Sequence, residues 1–204
     1  MALAVAIALL TGSIAVPIAV RPFYYAQIVP LHLPEKSGLT VEEICRAYDE
    51  AMDYCTGAKD KFSAGILEYS EAGAAHFYDC RRLILLDHWL FAAAMSVIAA
   101  ILVYARKSRL PRLFNRSPAF WGAAGMCAAL LAASIFTSTN FNRAFELFHR
   151  ILFPGKSNWV LNHSADPIVR ILPVEYFQNC AILSAAVAFA VILAIVLTDL
   201  KNSA

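Results

Sequence analysis

Long apolar runs alternate along the chain with segments that carry most of the charged residues. Four runs reach the roughly 20 apolar residues that a helix needs to cross about 30 Å of hydrocarbon. They cover residues 2–20, 83–104, 119–136 and 179–197. A helix satisfies its own backbone hydrogen bonds in lipid, and the runs are too long and too uniformly apolar for barrel strands. The pattern predicts an all-α integral membrane protein: a four-helix bundle with a small extracytoplasmic helical cap, forming one membrane domain over residues 1–204.

The composition agrees with a membrane protein. Hydrophobic residues make up 60% of the chain and charged residues 16%, and the mean hydropathy is +0.59. These values do not suit a soluble domain of 204 residues. The first run could instead be a cleaved signal peptide, but it begins Met1-Ala2-Leu3-Ala4 and lacks the basic residues with which such peptides start. We therefore expect a retained span.

The link between the second and third runs, residues 105–118, is basic and contains no acidic residue. Its basic residues are Arg106, Lys107, Arg109, Arg112 and Arg116. Because short cytoplasmic loops are enriched in Lys and Arg, we expect this link and both chain termini on the cytoplasmic side. Residues 21–82 and 137–178 then form two outer segments. The basic excess behind the net charge of +2 lies in the link, so the charge gives no reason to expect a nucleic-acid partner.

Each outer segment is predicted to contain one amphipathic helix. Thr40 and Glu43 have the spacing of a capping box, and the helix that they open should run to about Cys55. Its apolar face comprises Ile44, Ala47, Tyr48 and Ala51. In the second segment the apolar positions at helical spacing are Phe141, Phe145, Phe148 and Leu152. We expect this second helix to lie in the headgroup region and to end before Pro154-Gly155.

Two histidines in the outer segments are the candidates for chemistry. His76 precedes the second run, and Asp79 follows it by three residues; on a helix this spacing puts both on one face, where the carboxylate can fix the tautomer of the imidazole. His149 lies near the end of the second predicted outer helix. The sequence contains no zinc-ligand spacing, serine nucleophile elbow or phosphate-binding glycine loop. A structural role is the ordinary explanation for a lone histidine, and it is kept for His32, His88 and His163.

Several cationic or aromatic residues of the outer segments are candidate substrate contacts. They are Arg21, Tyr25, Arg82, Trp159 and Arg170. Side chains of these types also anchor proteins at the membrane surface, so interfacial anchoring is an equally good explanation for each of them.

Short, ordered motifs extend over nearly the whole chain. They are Ser70-Glu71, His76-Phe77-Tyr78-Asp79-Cys80-Arg81, Phe141, Phe145-x-x-Phe148-His149-Arg150-Ile151-Leu152-Phe153, Trp159, Asp166-Pro167-Ile168 and Leu172-Pro173-Val174-Glu175-Tyr176-Phe177. Their order and spacing resemble the bacterial lipoprotein intramolecular transacylase family, Lit. Two positions depart from the family pattern: Cys80 stands where a small aliphatic residue is expected, and Tyr176 where a second phenylalanine is common.

The resemblance implies an acyltransferase of the bacterial cytoplasmic membrane that needs no cofactor. Its substrate would be a diacylglyceryl lipoprotein, whose sn-2 acyl chain moves to the α-amino group of the same N-terminal cysteine. The implied protein is a monomer in contact with membrane lipid, with its active site at the extracytoplasmic face. We expect His149 to act as general base and His76, oriented by Asp79, to stabilise the oxyanion, although the two histidines could exchange roles.

Two other functions remain open from the residues alone. His76, Asp79 and His149 could ligate a metal in a membrane hydrolase, because two histidines and a carboxylate can hold zinc or iron. Alternatively, the protein could be a non-enzymatic sensor or subunit whose outer amphipathic helices dock a partner.

Overall fold

The computed structural model describes residues 1–108 and 110–202; Arg109 of the predicted basic link lies outside the described residues. In those ranges the chain forms α-helices, one 3-10 helix and no β-strand. The helices are α1 (Ala2–Ala19), α2 (Arg21–Tyr25), α3 (Leu33–Ser37), α4 (Val41–Cys55), α5 (Glu71–Ala105), α6 (Pro118–Thr139), α7 (Phe141–Leu152), the 3-10 helix (Pro167–Arg170) and α8 (Val174–Lys201).

Four helices of the described chain, α1, α5, α6 and α8, are long and apolar enough to cross a membrane. They coincide with the four predicted runs, so the predicted all-α fold with four membrane helices is confirmed. The largest difference is the start of α5, which begins at Glu71, whereas the apolar run begins at residue 83. The polar stretch that contains His76 is therefore helical, which the apolar pattern could not reveal.

The first of two compact units comprises Met1–Val16, Asp87–Thr139 and Ala181–Ala204. Its buried core contains Val5, Leu9, Ala123 and Ile192. Gly122 allows a close approach of two helices, because a Cβ atom at this position would lie 2.3 Å from the carbonyl oxygen of Ala2. A buried carboxylate, Asp199, pairs with Arg112 at 3.6 Å and Arg116 at 3.5 Å.

The second unit comprises Pro17–Leu86 and Asn140–Cys180, and it contains the candidate site. Three of the tyrosines in its core, Tyr24, Tyr48 and Tyr176, pack together. The rings of Tyr24 and Tyr48 stack with centroids 3.7 Å apart, and the hydroxyls of Tyr48 and Tyr176 are 2.9 Å apart. The Tyr24 hydroxyl donates to the carbonyl of Ile171 at 2.7 Å. Because their hydroxyls have partners, these rings can be buried without loss of hydrogen bonds.

Helix α4 follows the sequence prediction closely. The Glu43 amide donates to the Thr40 hydroxyl at 3.2 Å, and the Thr40 amide donates to the Glu43 carboxylate at 2.8 Å, which completes the predicted capping box. The predicted apolar face is fully buried: Ile44, Ala47, Tyr48 and Ala51. Helix α7 also ends as predicted, at Leu152 and before the Pro154-Gly155 turn.

Candidate active site

Two buried histidines lie side by side in the second unit. His76 is in the second turn of α5 and His149 in the last turn of α7, and their ring centroids are 5.8 Å apart at an interplanar angle of 37°. The two residues are only 7% and 8% exposed, respectively. Phe153 packs against both, with centroid distances of 5.1 Å to His76 and 5.8 Å to His149. The structure thus brings together the two histidines that the sequence singled out.

The main chain of α7 determines the tautomer of His149. Its Nδ1 atom lies 2.8 Å from the carbonyl oxygen of Phe145, one turn earlier. A carbonyl can only accept, so Nδ1 carries the proton and Nε2 keeps its lone pair. Burial lowers the pKa of His149 below its usual range, and the hydrogen bond to Phe145 only partly offsets this effect. His149 is therefore a neutral imidazole with one basic nitrogen.

His76 has a different set of contacts. Its Nε2 atom lies 3.5 Å from the Sγ atom of Cys80, one turn later on α5. Its Nδ1 atom is buried and has no hydrogen-bond partner within the described part of the chain. Buried polar atoms are nearly always paired, so an orphan nitrogen beside a second histidine indicates a place for a ligand atom.

The carboxylate of Asp79 bonds to other partners than His76, unlike the arrangement expected from the sequence. Its Oδ1 atom pairs with Nζ of Lys156 at 2.5 Å, and its Oδ2 atom accepts from Nδ2 of Asn158 at 3.0 Å. The spacing of three residues placed the aspartate on the expected face of α5, but an ammonium and an amide donor from the segment after α7 occupy its oxygens. Asp79 instead fastens this segment to the helix that carries His76.

A second carboxylate makes a similar connection at the start of α5. Asp166, which is 2% exposed, accepts hydrogen bonds from the amide of Ser70 at 2.8 Å and from its hydroxyl at 2.9 Å. The Ser70 hydroxyl in turn accepts from the Gly73 amide at 2.9 Å. A Cβ atom on Gly73 would lie 2.1 Å from Oδ1 of Asp166, so any other residue at this position must displace the carboxylate. A carboxylate at a helix N-terminus is also favoured by the helix dipole.

The other predicted contact residues occupy different places. Arg21 pairs with Asp49 at 2.9 Å and with Asp53 at 2.6 Å, and the Tyr25 hydroxyl donates to Asp49 at 2.6 Å. These contacts hold α2 against α4. Arg170 is exposed and donates to the carbonyl of His163 at 3.1 Å.

Trp159 and Arg82, by contrast, lie close to the candidate site. The Trp159 ring centroid is 5.1 Å from that of His149, and its indole nitrogen donates to the carbonyl of Lys156 at 3.0 Å. Arg82 lines a cavity together with Asp79 and Lys156.

Sequence reasoning missed Lys156 and Asn158. The available signal was the Pro154-Gly155 pair, because a turn directly after α7 sends the next residues back toward the end of the helix, where His149 lies. Gly155 adopts the left-handed conformation that such a turn requires, with φ of +73°. Within the described ranges, no group of three His, Cys, Asp or Glu side chains is arranged to hold a metal ion.

Comparisons with solved structures identify the same fold. The in meso structure of the membrane integral lipoprotein intramolecular transacylase Lit from Bacillus cereus matches with a TM-score of 0.88 and 21% identity, over 98% of this chain and 93% of that chain. Two variants of the Bacillus cereus protein, each with one histidine replaced, match with TM-scores of 0.75 and 0.77 at 22% and 21% identity, over 98% of this chain and 91% and 92% of those chains.

Sequence comparisons add a relative and a family. A protein of Aquifex aeolicus described as uncharacterized is 33% identical over 69 residues, a stretch that covers 34% of this chain and 31% of the relative's length. The family model for the lipoprotein intramolecular transacylase Lit matches residues 1–177. This match confirms the predicted family and enzyme class and gives no support to the metal-dependent hydrolase or the non-enzymatic subunit. The chain belongs to the lipoprotein intramolecular transacylase family, Lit.

Proposed function

We propose that this membrane protein transfers the sn-2 acyl chain of a diacylglyceryl lipoprotein to the α-amino group of the same N-terminal cysteine. The amine nitrogen bonds to the ester carbonyl carbon, the bond from that carbon to the glyceryl oxygen breaks, and one proton passes from nitrogen to that oxygen. An ester becomes an amide within one molecule, so neither ATP nor a metal is needed. Holding the amine and the ester together supplies much of the rate acceleration.

The observation that carries the proposal is the pair of adjacent, buried imidazoles with centroids 5.8 Å apart. An acyl transfer needs a base for the attacking nitrogen and a donor for the developing oxyanion. In His149, protonation at Nδ1 leaves Nε2 as a base, which favours His149 for proton removal.

The timing of proton removal follows from relative acidity. A free α-amino group has a pKa of about 7.7 to 8.0, above the ordinary histidine value of about 6.5. With its lowered pKa, His149 is a poor acceptor for the resting ammonium. An ammonium has no lone pair, so the nucleophile is the neutral amine, formed by loss of one proton to water. Once its nitrogen has bonded to the carbonyl carbon it becomes far more acidic, so His149 takes one proton at that stage and donates it to the glyceryl oxygen as the ester bond breaks.

His76 is proposed as the donor to the oxyanion. When the thiol of Cys80 donates to Nε2, the proton of the imidazole lies on Nδ1, which is the buried nitrogen without a partner among the described residues. A pre-positioned donor in a water-excluded site stabilises the oxyanion without reorganisation. Asp79 then acts indirectly, by binding Lys156 and Asn158 of the segment that follows His149.

Arg82 and Trp159 are proposed to contact the substrate, since both lie beside the histidine pair or its neighbouring cavity. Arg21, Tyr25 and Arg170 are better assigned to structure and interfacial anchoring, because their polar groups already bond to other parts of the protein. The protein is proposed to act as a monomer in the cytoplasmic membrane, in contact with membrane lipid, with both termini cytoplasmic and the histidines at the extracytoplasmic face. The basic link supports this orientation.

The test is incubation of the purified protein with a synthetic diacylglyceryl lipopeptide that has a free cysteine amine, followed by tandem mass spectrometry. The total mass does not change, so fragment ions must locate the acyl chain. We expect it on nitrogen with the unaltered protein and with the control His163→Ala, and not with His76→Ala or His149→Ala. Released fatty acid would indicate a hydrolase, and unreacted substrate would indicate a non-enzymatic role; either result would refute the proposal.

A further inference from the structure

A polar cavity of about 460 Å³ in the second unit is lined by chain neighbours of residues at the histidine pair: Ala75 precedes His76, and Asn158 precedes Trp159, whose ring lies 5.1 Å from that of His149. Its wall includes Tyr78, Asp79, Arg82, Lys156 and Asn158. One side of the cavity therefore comes from α5 directly after His76, and the other from the segment that follows His149. The immediate neighbours of His149, by contrast, include the aromatic rings of Phe145, Phe148, Phe153 and Trp159.

One atom of this wall lacks a partner. Asn158 donates through Nδ2 to Asp79, which fixes the orientation of its amide group. Its Oδ1 atom is a buried acceptor for which the described chain supplies no hydrogen bond. An unsatisfied buried polar atom destabilises the folded protein, so such atoms call for a specific explanation. A ligand that donates an N–H group to Oδ1 would explain why this atom has no partner in the protein itself.

The covalent structure of the substrate determines where its peptide begins. In an N-terminal cysteine, the amine nitrogen and the peptide carbonyl carbon share one Cα atom and lie only about 2.5 Å apart. The peptide must therefore leave the reacting amine within a few ångströms of the histidines. Its backbone N–H and C=O groups need polar partners, which the aromatic surroundings of His149 cannot supply. The polar cavity can supply them.

We propose that this cavity receives the peptide portion of the lipoprotein and that Oδ1 of Asn158 accepts a hydrogen bond from its backbone. The proposal rests on the proposed transacylase function. Lys156 and Arg82 provide donors for backbone carbonyls. Because Oδ1 is covered, the entering peptide must displace a neighbouring side chain to reach it. Contacts to the backbone alone make binding independent of the sequence that follows the cysteine.

The test replaces single backbone amides of the lipopeptide by esters, which removes one N–H at a time. Positions two, three and four of the peptide are scanned with the unaltered protein, Asn158→Ala and the exposed-surface control Asn142→Ala. We expect one ester position to raise KM about tenfold with the unaltered protein, as loss of one buried hydrogen bond predicts. The same ester should have less than a twofold effect with Asn158→Ala and the full effect with Asn142→Ala.

Two results would overturn the proposal. One is an ester scan in which no position changes KM by more than twofold with the unaltered protein, a result that does not depend on whether Asn158→Ala folds. The other is an equal ester effect with Asn158→Ala and with the unaltered protein. Failure of the transacylase function itself is distinguishable, because the all-amide lipopeptide would then give no N-acylated product.

Discussion

Removal of the Asp166 carboxylate should loosen the start of the helix that carries His76. In Asp166→Ala, the amide and hydroxyl of Ser70 lose the acceptor that they share. Hydrogen bonds to charged groups are worth about 1.5–3 kcal/mol each, and Ser70 is partly accessible to water, so we take about 3 kcal/mol for the pair. At 1.4 kcal/mol per tenfold, local opening of the first turn of α5 becomes about 100-fold more frequent.

Hydrogen exchange followed by mass spectrometry measures this opening directly. The segment 70–76 of Asp166→Ala should exchange about 100-fold faster than in the unaltered protein, while the amides of α4 keep their protection. Asp60→Ala is the matched control, since the Asp60 side chain is 99% exposed. Acceleration below about threefold in segment 70–76, or an equal acceleration in α4, would refute the view that this carboxylate holds the helix start.

Three further predictions follow from single contacts. In Gly73→Ala, the new Cβ atom would lie 2.1 Å from the Asp166 carboxylate and must displace it, so segment 70–76 should exchange faster as in Asp166→Ala; unchanged exchange would contradict this. Because the pKa of His149 is lowered by burial, its ring nitrogens should titrate in NMR spectra with a midpoint below about 6.5. The folded protein then binds fewer protons than the unfolded chain. The stability contributed by neutral His149 is therefore present above about pH 6.5 and is lost as the pH falls toward the folded pKa. A midpoint above about 6.5 would refute the conclusion that burial lowers the pKa of His149. Tyr24→Phe should lower the free energy of unfolding by about 1–2 kcal/mol, because the buried carbonyl of Ile171 loses its donor. Identical denaturation curves for Tyr24→Phe and the unaltered protein would contradict this prediction.

Local patterns predicted local structure well. The capping box at Thr40 and Glu43 and the buried face of α4 depend on residues three or four positions apart, which the sequence displays directly. The four membrane helices were predictable for the same reason, because length and hydropathy are properties of each run. The polar first turns of α5 were not, since nothing in their hydropathy distinguishes a helix from a loop.

The partners of the site residues were harder to predict. The sequence placed His76 and Asp79 on one face, but it could not rank possible partners from distant segments. Lys156 lies 77 positions from Asp79 and forms a charged contact with it at 2.5 Å. A cationic donor forms a stronger hydrogen bond to a carboxylate than a neutral imidazole does. Which of these donors pairs with Asp79 depends on tertiary contacts, which local sequence spacing does not show.

The group that fixes the tautomer of His149 is a main-chain carbonyl, at residue 145. In a catalytic triad a carboxylate side chain has this function, and substitution of that side chain removes it. Here the amino acid at position 145 can change and the carbonyl remains, as long as α7 stays helical. No single side-chain substitution at position 145 can therefore remove the acceptor that fixes the tautomer of the proposed base. The protonation pattern of His149 tolerates mutations that would abolish it if a side chain were the partner.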